Sequence, residues 1–160
     1  MSQTTLAPGL FSEAAQQAAR AVFSMMAGMD VDPLEAFEDE SPRPFDGVVG
    51  LVTFNGAWIG SGMICCREPL ACEISSRMLD HSRPAVDAEV LDGMGEIANM
   101  VLGNWKEIVE THTGPMTLSI PTVLWAKNFC ARLGIRAPWT IQPFMIGDER
   151  LEVRVCMKKV

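Results

Sequence analysis

Residues 85–110, AVDAEVLDGMGEIANMVLGNWKEIVE, constrain the fold more than any other stretch, because they sustain one helical repeat for about seven turns. With Glu96 at the centre of one side, Leu91, Met94, Ile97, Ala98, Val101, Leu102, Trp105, Ile108 and Val109 gather on the other. That stripe needs a large apolar surface to pack against. Glu89, Asp92, Glu96, Asn99 and Gly103 fall on the opposite side, so Glu96 and Asn99, three residues apart, stand together facing water. Gly93, Gly95 and Gly103 lie on or beside this face. Each glycine costs a helix about 1 kcal/mol relative to alanine. Their presence predicts a docking surface that another backbone approaches closely, with a carboxylate and a carboxamide set into it. Met100, about 40° from Glu96, is expected to be exposed on the same side.

The surface that receives the apolar stripe is a predicted sheet. VVGLVTF, Asn55-Gly56 and AWIGSGMICC read as a hairpin turning at the Asn-Gly pair. WTIQPFMI, Gly147-Asp148 and RLEVRVCMK read as a second, with Leu151, Val153 and Val155 alternating against Glu152, Arg154 and Cys156. MTLSIPTVL reads as a strand with Pro121 at an edge or bulge. Residues 11–28 form a first helix with Ser12 as N-cap, Gly28 at its end and Met25 and Met26 on its apolar side. Residues 68–80 suit a short helix with Pro69 in its first turn, and Asp87 suits the cap of the long one. The acidic, proline-bearing residues 30–45 read as an exposed loop or flap, and 124–138 match no element clearly. The order predicts an α+β fold, long helices packed on an antiparallel β-sheet, as one domain over residues 1–160.

A formal net charge of −7 argues against nucleic acid, which requires clustered Lys and Arg. The N-terminus has no signal-peptide pattern and no apolar run approaches membrane-spanning length, so a soluble cytoplasmic protein is expected, without a membrane partner. Cys65, Cys66, Cys72, Cys130 and Cys156 lack metal-site spacing and read as reduced core residues. His81 and His112 read as surface histidines. There is no Gly-rich phosphate loop with a Lys-Ser or Lys-Thr pair, and no G-x-S-x-G elbow. Glu96 and Asn99 therefore carry whatever chemistry the chain has. A carboxamide can hold a water molecule in a chosen direction, which suits in-line attack on a phosphoryl group. Metal ligands and a cationic phosphate clamp would then have to come from a folded partner.

The segment GEIANMVLGNWK, residues 95–106, resembles the Gly-Glu-x-x-Asn-x-x-x-Gly-Asn helix of the CheX phosphatases, relatives of CheC and FliY that dephosphorylate the response regulator CheY. The segments at 60–63 (GSGM), 119–123 (SIPTV) and 143–155 are similar to the family's order, so the resemblance covers most of the chain from about residue 10. It implies that Glu96 pairs with the active-site lysine of a phosphorylated CheY-like receiver and that Asn99 aligns the hydrolytic water. Glu89, Asp92, Gly95, Met100 and Gly103 would surround them as docking positions. It further implies that Mg²⁺ sits on the receiver, that this chain binds no cofactor, and that the protein is a homodimer. Glu13 and Gln16, at the same three-residue spacing, do not match a second site and read as structural. The alternative reading of the same face is a non-catalytic adaptor for a receiver or flagellar-switch protein.

Overall fold

The computed structural model describes residues 6–40 and 43–160. The elements run α1 (Leu10–Ala27), β1 (Asp32–Pro33), β2 (Phe37–Asp39), β3 (Phe45–Gly56), β4 (Trp58–Cys66), α2 (Glu68–Leu79), α3 (Ala88–Thr113), β5 (Met116–Leu118), β6 (Thr122–Phe129), β7 (Trp139–Ile146) and β8 (Glu149–Lys159). The strands form one antiparallel sheet in the order β1-β7-β8-β4-β3-β5, with β2 also on β7 and β6 also on β3. The predicted α+β fold is the observed one.

The three helices bury one face of this sheet. Val48, Val52 and Phe54 of β3 and Leu151, Val153 and Val155 of β8 point into a core shared with Phe23, Met94, Leu102 and Trp105. Close approach of α3 depends on absent side chains in the strands beneath it. A Cβ on Gly50 would lie 2.6 Å from that of Ala98, and one on Gly62 would lie 2.8 Å from a Leu102 methyl. α3 starts where its cap says it should, with the Asp87 carboxylate accepting from Val90 N at 2.9 Å. At its far end Glu110 accepts from Lys106 Nζ at 2.5 Å and from Met116 N at 3.1 Å, which ties the helix to β5. The Lys106 hydrogen bond, then that from Met116, holds the Glu110 carboxyl below its usual range.

The opposite face of the sheet is covered too, and by the segments that were hardest to read. Residues 30–45, expected as a loop, supply β1 and β2 on the β7 edge, with Phe37, Glu38 and Asp39 opposite Ile141, Thr140 and Trp139. Ser41 and Pro42 of that stretch lie outside the described residues. β6 runs through Thr122–Phe129, and residues 130–138 then cross the second face as an extended strap with Ala131, Leu133, Ile135 and Ala137 packed inward. These side chains meet Val49, Met63, Cys65, Trp139, Ile141 and Cys156. Glu152 and Arg154 are buried on this face as an ion pair, Arg154 Nη2 to Glu152 Oε1 at 2.6 Å, with the guanidinium over the Phe45 ring at 5.4 Å. Two-sided burial is why both alternating sets of β8 are inside. An open cavity of about 740 Å³ lies against this strap, on the far side of the sheet from the helices.

Several local expectations change. The first hairpin pairs Phe54 with Gly60 and turns at Ala57, so Asn55 and Gly56 are strand residues facing Thr117 and Met116 of β5. Gly56 is needed for a close approach instead of a turn, since a Cβ there would lie 2.4 Å from Pro115 O. In the second hairpin Ile146 pairs with Glu149 across Gly147-Asp148, as expected, with Gly147 at φ +59°. The N-cap of α1 is Gly9, and Ser12 Oγ donates back to Gly9 O at 3.0 Å without capping. Met25 is exposed where core was expected, while Gly28 ends the helix as predicted. The strand over 116–124 is broken at residues 119–121 into β5 and β6. Cys130 is exposed, against its assignment to the core.

The other cysteines are buried, and desolvation pushes the Cys65 thiol up to about 12 and the Cys66 thiol higher still. Cys65 and Cys66 should therefore stay unmodified by a thiol reagent at pH 8 in the native protein and react only on unfolding. Mass-spectrometric mapping of labelled peptides checks this, and rapid native labelling of either residue would contradict it.

Candidate functional site

The long helix presents Glu96 and Asn99 to solvent from the middle of α3, because Ile97, Ala98, Val101 and Leu102 between and after them are fully buried. Successive i, i+3 positions on one helix face bring the two Cβ atoms to within about 5–6 Å. Among the described residues neither side chain has an internal hydrogen-bond or ion-pair partner. Both groups are thus unspent within the chain. Other charges of this segment are engaged: Lys106 pairs with Glu110 at 2.5 Å, and Arg83 pairs with Asp87 at 3.5 Å and with Glu89.

Facing them is the connection between β5 and β6. Asp92, Gly95, Glu96 and Asn99 form one wall of an open groove of about 450 Å³, and Leu118, Ser119, Ile120, Pro121 and Val123 form the other. β3 positions the second wall. Ser119 N donates to Thr53 O at 3.0 Å, and Thr53 N donates to Ser119 Oγ at 2.9 Å, so the turn is held to the sheet by a reciprocal pair of bonds. The groove contains no basic side chain and is lined by two carboxylates, so it favours an occupant that brings its own positive charge. Among the described residues no group of three or more His, Cys, Asp or Glu is placed to hold a metal ion.

The docking positions expected from sequence divide. Asp92 lines the groove and is exposed. Gly95 lines it as well, but it is buried: a Cβ there would lie 3.0 Å from a Val123 methyl, so this glycine admits the chain's own β6. Gly93 and Gly103 are half-buried and face Ser75 of α2 and Leu118 of β5, each at ordinary contact distance for a Cβ. The glycines expected to be open to a partner therefore face neighbours within the molecule. Met100 is half-buried and packed on the core instead of exposed. Glu89 is exposed but is engaged with Arg83 and lies outside the groove. Gln16, read as structural, donates to Gln142 Oε1 at 3.0 Å. His81 and His112 are exposed, as expected.

The second wall is what the helical wheel could not supply. Its signal was the SIPTV segment, in which a proline follows an isoleucine in a stretch otherwise patterned as a strand. Only the break at 119–121 turns that segment toward α3.

Comparison with known proteins places this architecture. No curated protein matches the chain in sequence. Among solved structures, the chemotaxis protein CheX from Vibrio vulnificus is similar at 27% identity, with 92% of this chain and 99% of that one covered and a TM-score of 0.83. A CheC-like superfamily protein from a Shewanella species matches at 25% identity, over 93% and 97% of the two chains, also with a TM-score of 0.83. CheX in a CheX–CheY–BeF3–Mg²⁺ complex from Borrelia burgdorferi shares the fold at 18% identity over 93% and 98%, with a TM-score of 0.79. The family model of the chemotaxis phosphatase CheX matches residues 48–145, which hold most of the sheet, all of α3 and both walls of the groove, and the chain belongs to that family.

Proposed function

We propose that this chain accelerates hydrolysis of the aspartyl phosphate on a CheY-like receiver domain, with Asn99 orienting the attacking water and Glu96 anchoring the partner. The observation that carries the reading is the pair itself: a carboxylate and a carboxamide, side by side in an open groove, neither used by the chain that bears them. In the reaction the water oxygen attacks phosphorus in line, the bond from phosphorus to the aspartyl oxygen breaks, and the products are inorganic phosphate and a free aspartate. Phosphoryl transfer of this kind needs positioning and charge stabilisation more than covalent help. The Asn99 carboxamide supplies positioning. Its oxygen accepts a hydrogen bond from the water and leaves a lone pair of the water oxygen directed at the phosphorus, and the water's protons leave with the inorganic phosphate. Glu96 contributes a fixed negative charge that pairs with a cation of the receiver. Mg²⁺ and the phosphoryl group belong to the receiver in this reading. Support for the partner comes from family membership and from the related CheX in the Borrelia complex with CheY, BeF3 and Mg²⁺.

The test is to follow the loss of phosphate from a phosphorylated CheY-like receiver with and without this protein. Faster decay is expected, first order in the added chain at low concentration. No acceleration with any receiver from the same genome would overturn the reading, and retained binding in that case would leave an adaptor. Glu96→Gln, which removes the charge and keeps the shape, should weaken binding of a Mg²⁺- and beryllofluoride-loaded receiver about 10-fold, within the range of a charge-assisted hydrogen bond. The loss should be largest at low salt, and titration at two ionic strengths checks it.

A further inference from the structure

On the wall opposite the catalytic pair, Ile120 is 87% exposed, more so than any other large hydrophobic residue among the described ones. Its setting is not that of a frayed loop. The preceding Ser119 is held to Thr53 by two bonds, its backbone N donating to Thr53 O and its Oγ accepting from Thr53 N; its hydroxyl donates to Ile120 O at 3.0 Å, and Pro121 fixes the backbone immediately after. The side chain is β-branched and stiff at its first torsion. An apolar knob is therefore held in water by a rigid support, across a groove from two unspent polar groups. Trp125, also exposed, differs, since its indole nitrogen donates to Glu68 Oε1 at 2.7 Å.

We infer that Ile120 is a positioning residue of the proposed reaction: it seats in an apolar depression beside the phosphorylated aspartate of the receiver and sets the angle at which that aspartate meets Asn99. This rests on the reading above. The occupant is a receiver domain because the helix wall, with Asp92 and Glu96 and no cation, requires positive charge opposite it, while the loop wall requires an apolar surface. A partner whose phosphoryl group reaches Asn99 must lie across the groove, which brings its flank over Ile120. Rigid presentation removes the ordering cost that a mobile side chain would carry on binding.

Initial rates measured against the concentration of a CheY-like receiver phosphorylated from acetyl phosphate test this. Ile120→Ser should raise KM about 10-fold and lower kcat by no more than about threefold, Ile120→Leu should recover most of the KM, and Met25→Ala, at another exposed apolar residue on α1, should alter neither. Titration with the receiver loaded with Mg²⁺ and beryllofluoride should give the same 10-fold loss for Ile120→Ser. If the wild type accelerates decay and Ile120→Ser leaves KM and beryllofluoride-state binding unchanged, the inference fails and the proposed function stands. If the wild type accelerates nothing but binds the loaded receiver, and Ile120→Ser weakens that binding, the docking role holds and the catalytic reading fails. If Ile120→Ser instead shifts sedimentation of the protein alone and leaves KM untouched, Ile120 covers a second copy of this chain and the inference is overturned.

Discussion

Asn99→Ala should reduce the rate at which the protein clears phosphate from a receiver domain by about 10²-fold, while leaving affinity for the beryllofluoride-loaded receiver within about threefold. A 10²-fold loss corresponds to about 2.7 kcal/mol of transition-state stabilisation, the scale expected when a water molecule is no longer held on the line of attack. Asn99 is exposed and has no internal partner among the described residues, so its removal leaves no buried group unsatisfied. Helix propensity favours alanine at this position, and the variant should be folded and slightly more stable. A rate loss of less than about threefold in single-turnover decay would show that the carboxamide does not position the water. Equal losses in rate and binding would make Asn99 a docking group instead.

The second large effect is on stability. Trp105→Ala should cost about 3–5 kcal/mol of unfolding free energy, the range for truncating a fully buried large aromatic side chain. Trp105 is completely buried on the face of α3 that looks away from the groove, and it joins three elements. Its ring lies 5.4 Å from Phe11 of α1 and 5.1 Å from Phe54 of β3, and its indole nitrogen donates to Phe11 O at 3.0 Å. Truncation removes both ring contacts and the indole hydrogen bond to Phe11 O. Trp105→Phe retains most of the packing and loses only the hydrogen bond, so it should cost about 1 kcal/mol before small packing losses. Urea titrations should show the alanine midpoint far below wild type with the slope unchanged. A change below about 1 kcal/mol for alanine would mean that the seat of α3 is set elsewhere.

Much of this molecule is legible from pattern alone, and the reason is local. α3 declares itself through a 3.6-residue repeat and the Asp87 cap, and both are properties of neighbouring residues. The second hairpin follows from Gly147-Asp148 between alternating runs. Where long-range contacts compete with local preference, the pattern misleads. Asn55-Gly56 has the strongest local preference for a turn, yet β5 takes the hydrogen bonds of those residues and moves the reversal to Ala57. The strap at 130–138 does carry an alternation, Ala131, Leu133, Ile135 and Ala137 against Arg132, Gly134 and Arg136, but without strand partners it resembles no standard element. Glu152 and Arg154 look like a solvated strand face until the strap and Phe45 cover them.

By itself, then, the sequence determined that Glu96 and Asn99 share the exposed side of a long helix, because helical geometry places residues three apart on one face whatever surrounds them. It could not determine what the glycines of that helix admit. A missing Cβ records that something comes close without saying what, and the tertiary structure assigns the approach to Ser75, Val123 and Leu118 of the same chain. Nor could it place Ser119, Ile120 and Pro121 opposite the pair, since that requires β5 and β6 to settle on β3 alongside α3. One wall of the groove is a property of a helix, and the groove itself is a property of the fold.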